Sequence, residues 1–206
     1  MIRKGNLLLF VFASVMFFTH MSIFAGGGIF ELIGKGSGPV DLQKVKKIIE
    51  EKNIDVNQVN SLGETILFLA CKRFCTDELK YKLVEYLIKK GADKSINNVT
   101  NNGSTPLLAV CSKLDFKTMK LLIENGAKKY INKIDSYGRT PLHYACYGHN
   151  LDMVKYLIKN GAIKSINKFT SSGNTPILIC SYSYCETEMF FYLITCGANL
   201  NIINND

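Results

Sequence analysis

Apolar residues recur at i, i+3 and i+4 in four places: Val84, Leu87 and Ile88; Met119, Leu122 and Ile123; Val154, Leu157 and Ile158; Phe190, Leu193 and Ile194. That spacing draws one stripe along an α-helix. Three residues beyond each stripe stands a glycine, Gly91, Gly126, Gly161 or Gly197, the residue that most readily takes the left-handed conformation that stops a helix. Upstream of each stripe a shorter apolar segment opens on threonine: Thr65-Ile66-Leu67, Thr105-Pro106-Leu107, Thr140-Pro141-Leu142 and Thr175-Pro176-Ile177. Threonine caps a helix, and proline at the first helical position sacrifices no hydrogen bond. The predicted unit is a short helix, a turn, a second helix and a polar, Asn-rich, hairpin-like loop.

The unit repeats with a step of 35 residues, as Gly103, Gly138 and Gly173 show. Gly63 lies 40 residues before Gly103, and the surplus around Lys72 to Asp77 predicts an insertion between two helices. Val45, Ile48 and Ile49 repeat the stripe once more, with Asn53 as terminator and Ile29 to Ile33 as a candidate short first helix. The predicted organisation is a divergent first copy over 26–58, then copies over 59–98, 99–133, 134–168 and 169–206. A single copy cannot bury its own stripe, so the copies must stack. The expected fold is an all-α solenoid of about five helix-turn-helix repeats.

The string Asp135-Ser136-Tyr137-Gly138-Arg139-Thr140-Pro141-Leu142-His143-Tyr144-Ala145-Cys146 resembles the ankyrin repeat, whose helix-opening signature is T-P-L-H-x-A. The likeness runs on through Leu151 to Ile158 and to Gly161-Ala162, and covers about 28 to 203 of the chain. It implies a non-enzymatic module that binds a protein on a concave face made of loop tips and exposed first-helix positions. Carried over by position, that face contains Ser136, Tyr137, Arg139, Tyr147 and Tyr182; tyrosine and arginine are favoured interface anchors. In such proteins the histidine of the signature ties copies together, the role expected of His143.

The first 25 residues read differently. Arg3 and Lys4 precede an apolar run from Leu7 to Phe18, and Ala25 precedes three glycines. This is the order of a signal peptide over 1–25, which implies a secreted or periplasmic protein. The alternative is an uncleaved inner-membrane anchor, the one case in which a membrane partner is expected. Cleavage after Ala25 lowers the net charge from +8 to 8 − 2 = +6.

Composition narrows the chemistry further. No Walker loop, nucleophile elbow or dinucleotide fingerprint occurs, and Gly34-Lys35-Gly36-Ser37-Gly38 lacks the order of a phosphate loop. Cys71, Cys111 and Cys146 share one slot and Cys180 sits beside it, so packing is their expected role; Cys71 with Cys75, or Cys180 with Cys185, remain alternatives as bridges. No catalytic, cofactor or metal site is expected. Nucleic acid is not expected either, because only Arg73 and Arg139 follow Arg3. The lysines are spread along the second helices, which predicts solubility and at most a salt-sensitive attraction to an acidic partner or an anionic membrane surface. The final stripe is unusually apolar (Met189, Phe190, Phe191, Tyr192) where a terminal copy should turn a polar side outward; Phe191 therefore marks a predicted self-association or partner surface.

Overall fold

The computed structural model describes residues 28–34, 40–73, 76–182 and 187–201. Ten α-helices form five pairs among these residues: α1 (28–34) with α2 (Leu42–Glu51), α3 (Ile66–Lys72) with α4 (Asp77–Lys89), α5 (Pro106–Cys111) with α6 (Phe116–Glu124), α7 (Pro141–Tyr147) with α8 (Leu151–Lys159), and α9 (Pro176–Tyr182) with α10 (Thr187–Thr195). The first helices α3, α5, α7 and α9 pack in succession, with α4 on α6 and α8 on α10. The all-α stack expected from the repeat period is what the chain adopts. Residues 1–25, expected to be a signal peptide, together with Cys75, Cys185 and the last residues of copy 5, lie outside the described residues.

The sequence signals act as anticipated. The hydroxyls of Thr65, Thr105, Thr140 and Thr175 accept from the amides of Phe68, Leu108, His143 and Leu178. Pro106, Pro141 and Pro176 open α5, α7 and α9. Asn53 has φ 45°, as its terminator role requires. Gly126 and Gly161 stop α6 and α8 with φ 109° and 112°. A methyl group at Gly161 would meet nothing within 4 Å, so its cost is purely conformational. Gly161→Ala is expected to destabilise the protein by about 1–2 kcal/mol, measured by urea unfolding, with no change in the helical signal of the folded state.

Each loop folds into a hairpin: the amides of Asn60, Thr100, Asp135 and Thr170 donate to the carbonyls of Glu64, Ser104, Arg139 and Asn174. Between helix end and hairpin, the segments Ala92–Ser95, Ala127–Tyr130 and Ala162–Ser165 form single 3-10 turns. A ladder that the sequence did not announce joins the copies. Nδ2 of Asn57, Asn97, Asn132 and Asn167 donates to the carbonyl of Gly91, Gly126, Gly161 and Gly197, each at 3.0 Å. One asparagine per copy thus satisfies a helix-terminal carbonyl of the next copy, which would otherwise be orphaned.

Two expectations need correction. The five surplus residues of copy 2 do not form a longer loop. Four of them lengthen the second helix, so that α4 has 13 residues where α6, α8 and α10 have nine. In addition, the stripe of each second helix is wider than the i, i+3, i+4 pattern, because Leu83, Thr118, Met153 and Met189 share a further slot and are all buried. Thr118 hides that slot from a purely apolar search. At the N-terminal end, the Arg73 guanidinium donates to the Ile33 carbonyl at the close of α1, which fixes the first copy to the second.

Candidate binding surface

The slots of successive copies line up, so the hairpin tips and exposed first-helix positions fall in rows along one side of the stack, the candidate groove. The position after each hairpin glycine holds Glu64, Ser104, Arg139 and Asn174. The tip before it holds Leu62, Asn102, Tyr137 and Ser172, and the last turn of the first helix holds Lys72, Ser112, Tyr147 and Tyr182. The groove therefore changes character along its length. Copy 2 is apolar and charged, copy 3 is small and polar, and copies 4 and 5 are aromatic.

Copy 4 is the most constructed part. Asp135 Oδ1 accepts from the amides of Tyr137 and Arg139 at 2.8 and 2.9 Å. Its Oδ2 takes the Tyr144 hydroxyl at 2.6 Å and Arg139 Nε at 3.1 Å. Burial pushes the Asp135 carboxyl up, but the hydrogen bonds from Tyr144, Arg139 and Tyr137 outweigh it and hold it below the usual value. Arg139 in turn lies between two rings, 4.4 Å from the centroid of Tyr137 and 4.9 Å from that of Tyr144. Arg139 is thus half-buried, committed to Asp135 and packed against the Tyr137 ring. Tyr137 itself is 62% exposed. Tyr144 escaped the sequence reading; its signal was being the one aromatic in a slot otherwise filled by Leu69, Ala109 and Ile179.

Of the predicted contact residues, Ser136, Tyr137 and Arg139 belong to one hairpin, and Tyr147 and Tyr182 are exposed in equivalent slots of neighbouring copies. Phe191 is also exposed but lies on α10, a second helix, and belongs to a different surface. At the other end of the groove, a cleft of about 590 Å³ opens between α1 and the hairpin of copy 2, lined by Phe30, Leu62, Leu69, Lys72, Arg73 and Lys113 among others. Lys72 there pairs with the buried Glu64 at 3.1 Å.

The remaining chemistry is structural. His143 is fully buried: its Nδ1 accepts the Thr140 amide at 3.1 Å and its Nε2 reaches the Lys168 carbonyl at 2.9 Å, tying α7 to the last residue of copy 4, at the edge of copy 5. His149 is an exposed turn residue with φ 52°. Cys71 and Cys111 are buried free thiols, and burial, aided by Asp115, pushes both far up from the ordinary value. A thiol held protonated is a poor nucleophile. Among the described residues no cluster of three His, Cys, Asp or Glu side chains is placed to hold a metal, and no helix is long and apolar enough to cross a membrane.

The lysines divide in a way the sequence did not show. On the helices, Lys47, Lys80, Lys82, Lys89, Lys90, Lys117 and Lys155 all meet a carboxylate, and Lys46 and Lys120 lie over aromatic rings. The second helices are therefore close to internally neutral, and the surplus positive charge sits elsewhere.

A family model of ankyrin repeats matches three times, over residues 37–133, 74–168 and 128–204. The chain belongs to the ankyrin repeat family, whose members are protein–protein interaction modules. Among curated proteins, no match was found.

Proposed function

We propose that this chain is an exported, non-enzymatic module that grips one protein partner in the groove over copies 4 and 5. The observation that carries the reading is the row of exposed tyrosines, Tyr137, Tyr147 and Tyr182, on a frame whose neighbouring side chains are already locked. Tyr137, backed by Arg139, loses little entropy on binding, and tyrosine in general gives large contact area for few rotatable bonds. Support for export comes from the order of residues 1–25: a positive start, an apolar run and Ala25 before three glycines. The test is site-specific photo-crosslinking in cells that make the protein. A crosslinker at Tyr147 or Tyr182 is expected to give one discrete stoichiometric adduct, and one at Lys82 on α4 none. The combined change Tyr137→Ala, Tyr147→Ala and Tyr182→Ala should abolish capture of that adduct's partner while leaving the melting temperature nearly unchanged. Equal adducts from both faces would refute the groove. N-terminal sequencing of the exported protein should begin at Gly26.

A second reading is favoured by one observation at the end of the stack. Phe190 and Leu178 are half-buried where their counterparts Val154 and His143 are fully buried, and Phe191 is 59% exposed where copy 4 has Lys155. On this reading two chains meet through α9 and α10, and the function is assembly. A monomer by light scattering at high concentration, unaltered by Phe191→Glu, would eliminate it.

A further inference from the structure

The stretch after each second helix has one design in three copies: a left-handed glycine, a buried alanine, a 3-10 turn and an asparagine bonded to the next copy's glycine. Those bonds lay successive stretches side by side, about 10 Å apart at the spacing of packed helices. Equivalent residues therefore form rows across the stack. One row is Lys94, Lys129 and Lys164, all exposed. Beside it stand Lys128, Lys133 and Lys168. Across 91–99, 126–134 and 161–169 the only acidic residue is Asp93.

None of these six lysines meets a carboxylate among the described residues, in contrast to the seven paired helix lysines. Like charges in register within about a Debye length repel one another. On its helices the chain relieves such repulsion with a glutamate or aspartate one turn away (Lys47, Lys82, Lys89) or on the neighbouring copy (Lys80, Lys90, Lys117, Lys155); along this ridge it does not. Apolar tips are interleaved with the lysines: Ile134 and Ile163 are each 40% exposed and Phe169 is 50% exposed. The Tyr130 ring lies beneath Lys129 and Lys133, at 5.5 and 6.0 Å.

We infer that this ridge docks on the surface of an anionic phospholipid bilayer. Three features favour a bilayer over an acidic protein. The ridge is not part of the clefts against α1 and between α6 and α8, where a protein partner would find a pocket for an anchor residue. Its cations are all lysine, compact charges without the planar fork that reads a particular carboxylate or phosphate. Its exposed Ile and Phe tips suit the interfacial layer, where apolar groups insert while lysine ammonium groups stay with the headgroups. A flat, diffuse anionic plane matches all three.

The experiment is sedimentation of the full chain with vesicles of phosphatidylcholine, with or without phosphatidylserine. Neutral vesicles read whatever the apolar N-terminal run contributes. Phosphatidylserine is expected to raise the bound fraction, by less as salt increases. Each neutralised ridge lysine should lower anionic-vesicle partition about fivefold, so Lys129→Ala with Lys164→Ala should cost about 25-fold. Lys82→Ala with Lys89→Ala, the same loss of charge from the paired helix face, should cost under about threefold. Phe169→Ser should lower partition by a factor that salt does not change. Circular dichroism checks that each variant is folded; all five side chains are exposed. Equal binding to neutral and anionic vesicles, or equal losses from the ridge and helix pairs, would overturn the inference. So would ridge-dependent binding to polyglutamate without binding to vesicles, an outcome that would assign the ridge to an acidic protein.

Discussion

Asp115→Asn is expected to cost about 3–5 kcal/mol, the penalty for breaking a buried ion pair by removing one charge. The pair is Lys80 Nζ with Asp115 Oδ2 at 3.1 Å, and the two side chains are only 3% and 1% exposed. Asp115 also caps α6 by accepting the Thr118 amide at 2.9 Å. Asparagine preserves that cap, since Asn150 caps α8 in the same slot of copy 4 by accepting from Met153. The substitution therefore isolates the charge. It leaves the Lys80 ammonium inside the junction of copies 2 and 3 with Asp77, at 3.8 Å on the solvent side, as its one remaining carboxylate partner among the described residues. At about 2–4 °C per kcal/mol for a chain of this size, the melting temperature should fall by roughly 6–20 °C. Stability in a repeat array is local, so hydrogen exchange should accelerate in α3 and α4 before α7 and α8. The double change Lys80→Met with Asp115→Asn removes the stranded charge, keeps the apolar stem, and should recover most of the loss. A single Asp115→Asn within about 1 kcal/mol of the parent by urea unfolding would show that the pair is not holding the junction.

The origin of that pair explains what the sequence could and could not reveal. The slot occupied by Asp115 and Asn150 is the cap of the second helix. In copy 2 four of the five surplus residues start α4 earlier, at Asp77, so Lys80 falls inside the helix in what is a capping slot in copies 3 and 4. The surplus was visible as a shifted glycine. Its consequence was not, because a longer loop and a longer helix have the same length in sequence. Threonine, proline and glycine announced the fold so clearly because each acts on its own backbone within a few residues. Pairings between copies carry no such local mark: Lys117 meets Glu78 and Lys155 meets Glu188 across 39 and 33 residues. A linear count of lysines therefore spread the charge evenly, while the fold paired most of the helix lysines and left Lys94, Lys128, Lys129, Lys164 and Lys168 exposed, with Lys133 half-buried, along one edge. The tyrosines were partly legible, since Tyr137, Tyr147 and Tyr182 sit at positions the repeat turns outward. The clamp of Asp135, Arg139 and Tyr144 that supports Tyr137 emerges only when hairpin and helix are brought together.

Acid should unfold this protein through His143 before the carboxylates titrate. The Thr140 amide can only donate and the Lys168 carbonyl can only accept, so the ring is neutral with its proton on Nε2. Burial is the dominant influence on it. The Lys168 and Asn174 backbone hydrogen bonds and the Asp135 charge oppose burial, the Lys168 charge adds to it, and the balance lowers the pKa from 6.5 to about 4. Between those two values the unfolded chain binds a proton that the folded chain refuses, so stability falls as pH falls across that window. At 1.36 kcal/mol per unit, the full loss below about pH 4 is about 3 kcal/mol. Asp135 acts in the opposite protonation sense, because its carboxyl is held low in the fold. Its stabilisation is complete above the usual carboxylate range and is lost only at lower pH, below the histidine window. Leu108 and Leu178 fill the His143 slot in copies 3 and 5, so His143→Leu is sterically acceptable. It strands the Thr140 amide and the Lys168 carbonyl, at a cost of about 1–3 kcal/mol at neutral pH, but it has no proton to take up. Urea unfolding from pH 7 to pH 4 should therefore give a steep line for the parent chain and a nearly flat one for His143→Leu, converging toward the acid end. Parallel lines would mean that the imidazole is not the acid-labile joint between α7 and Lys168 at the edge of copy 5.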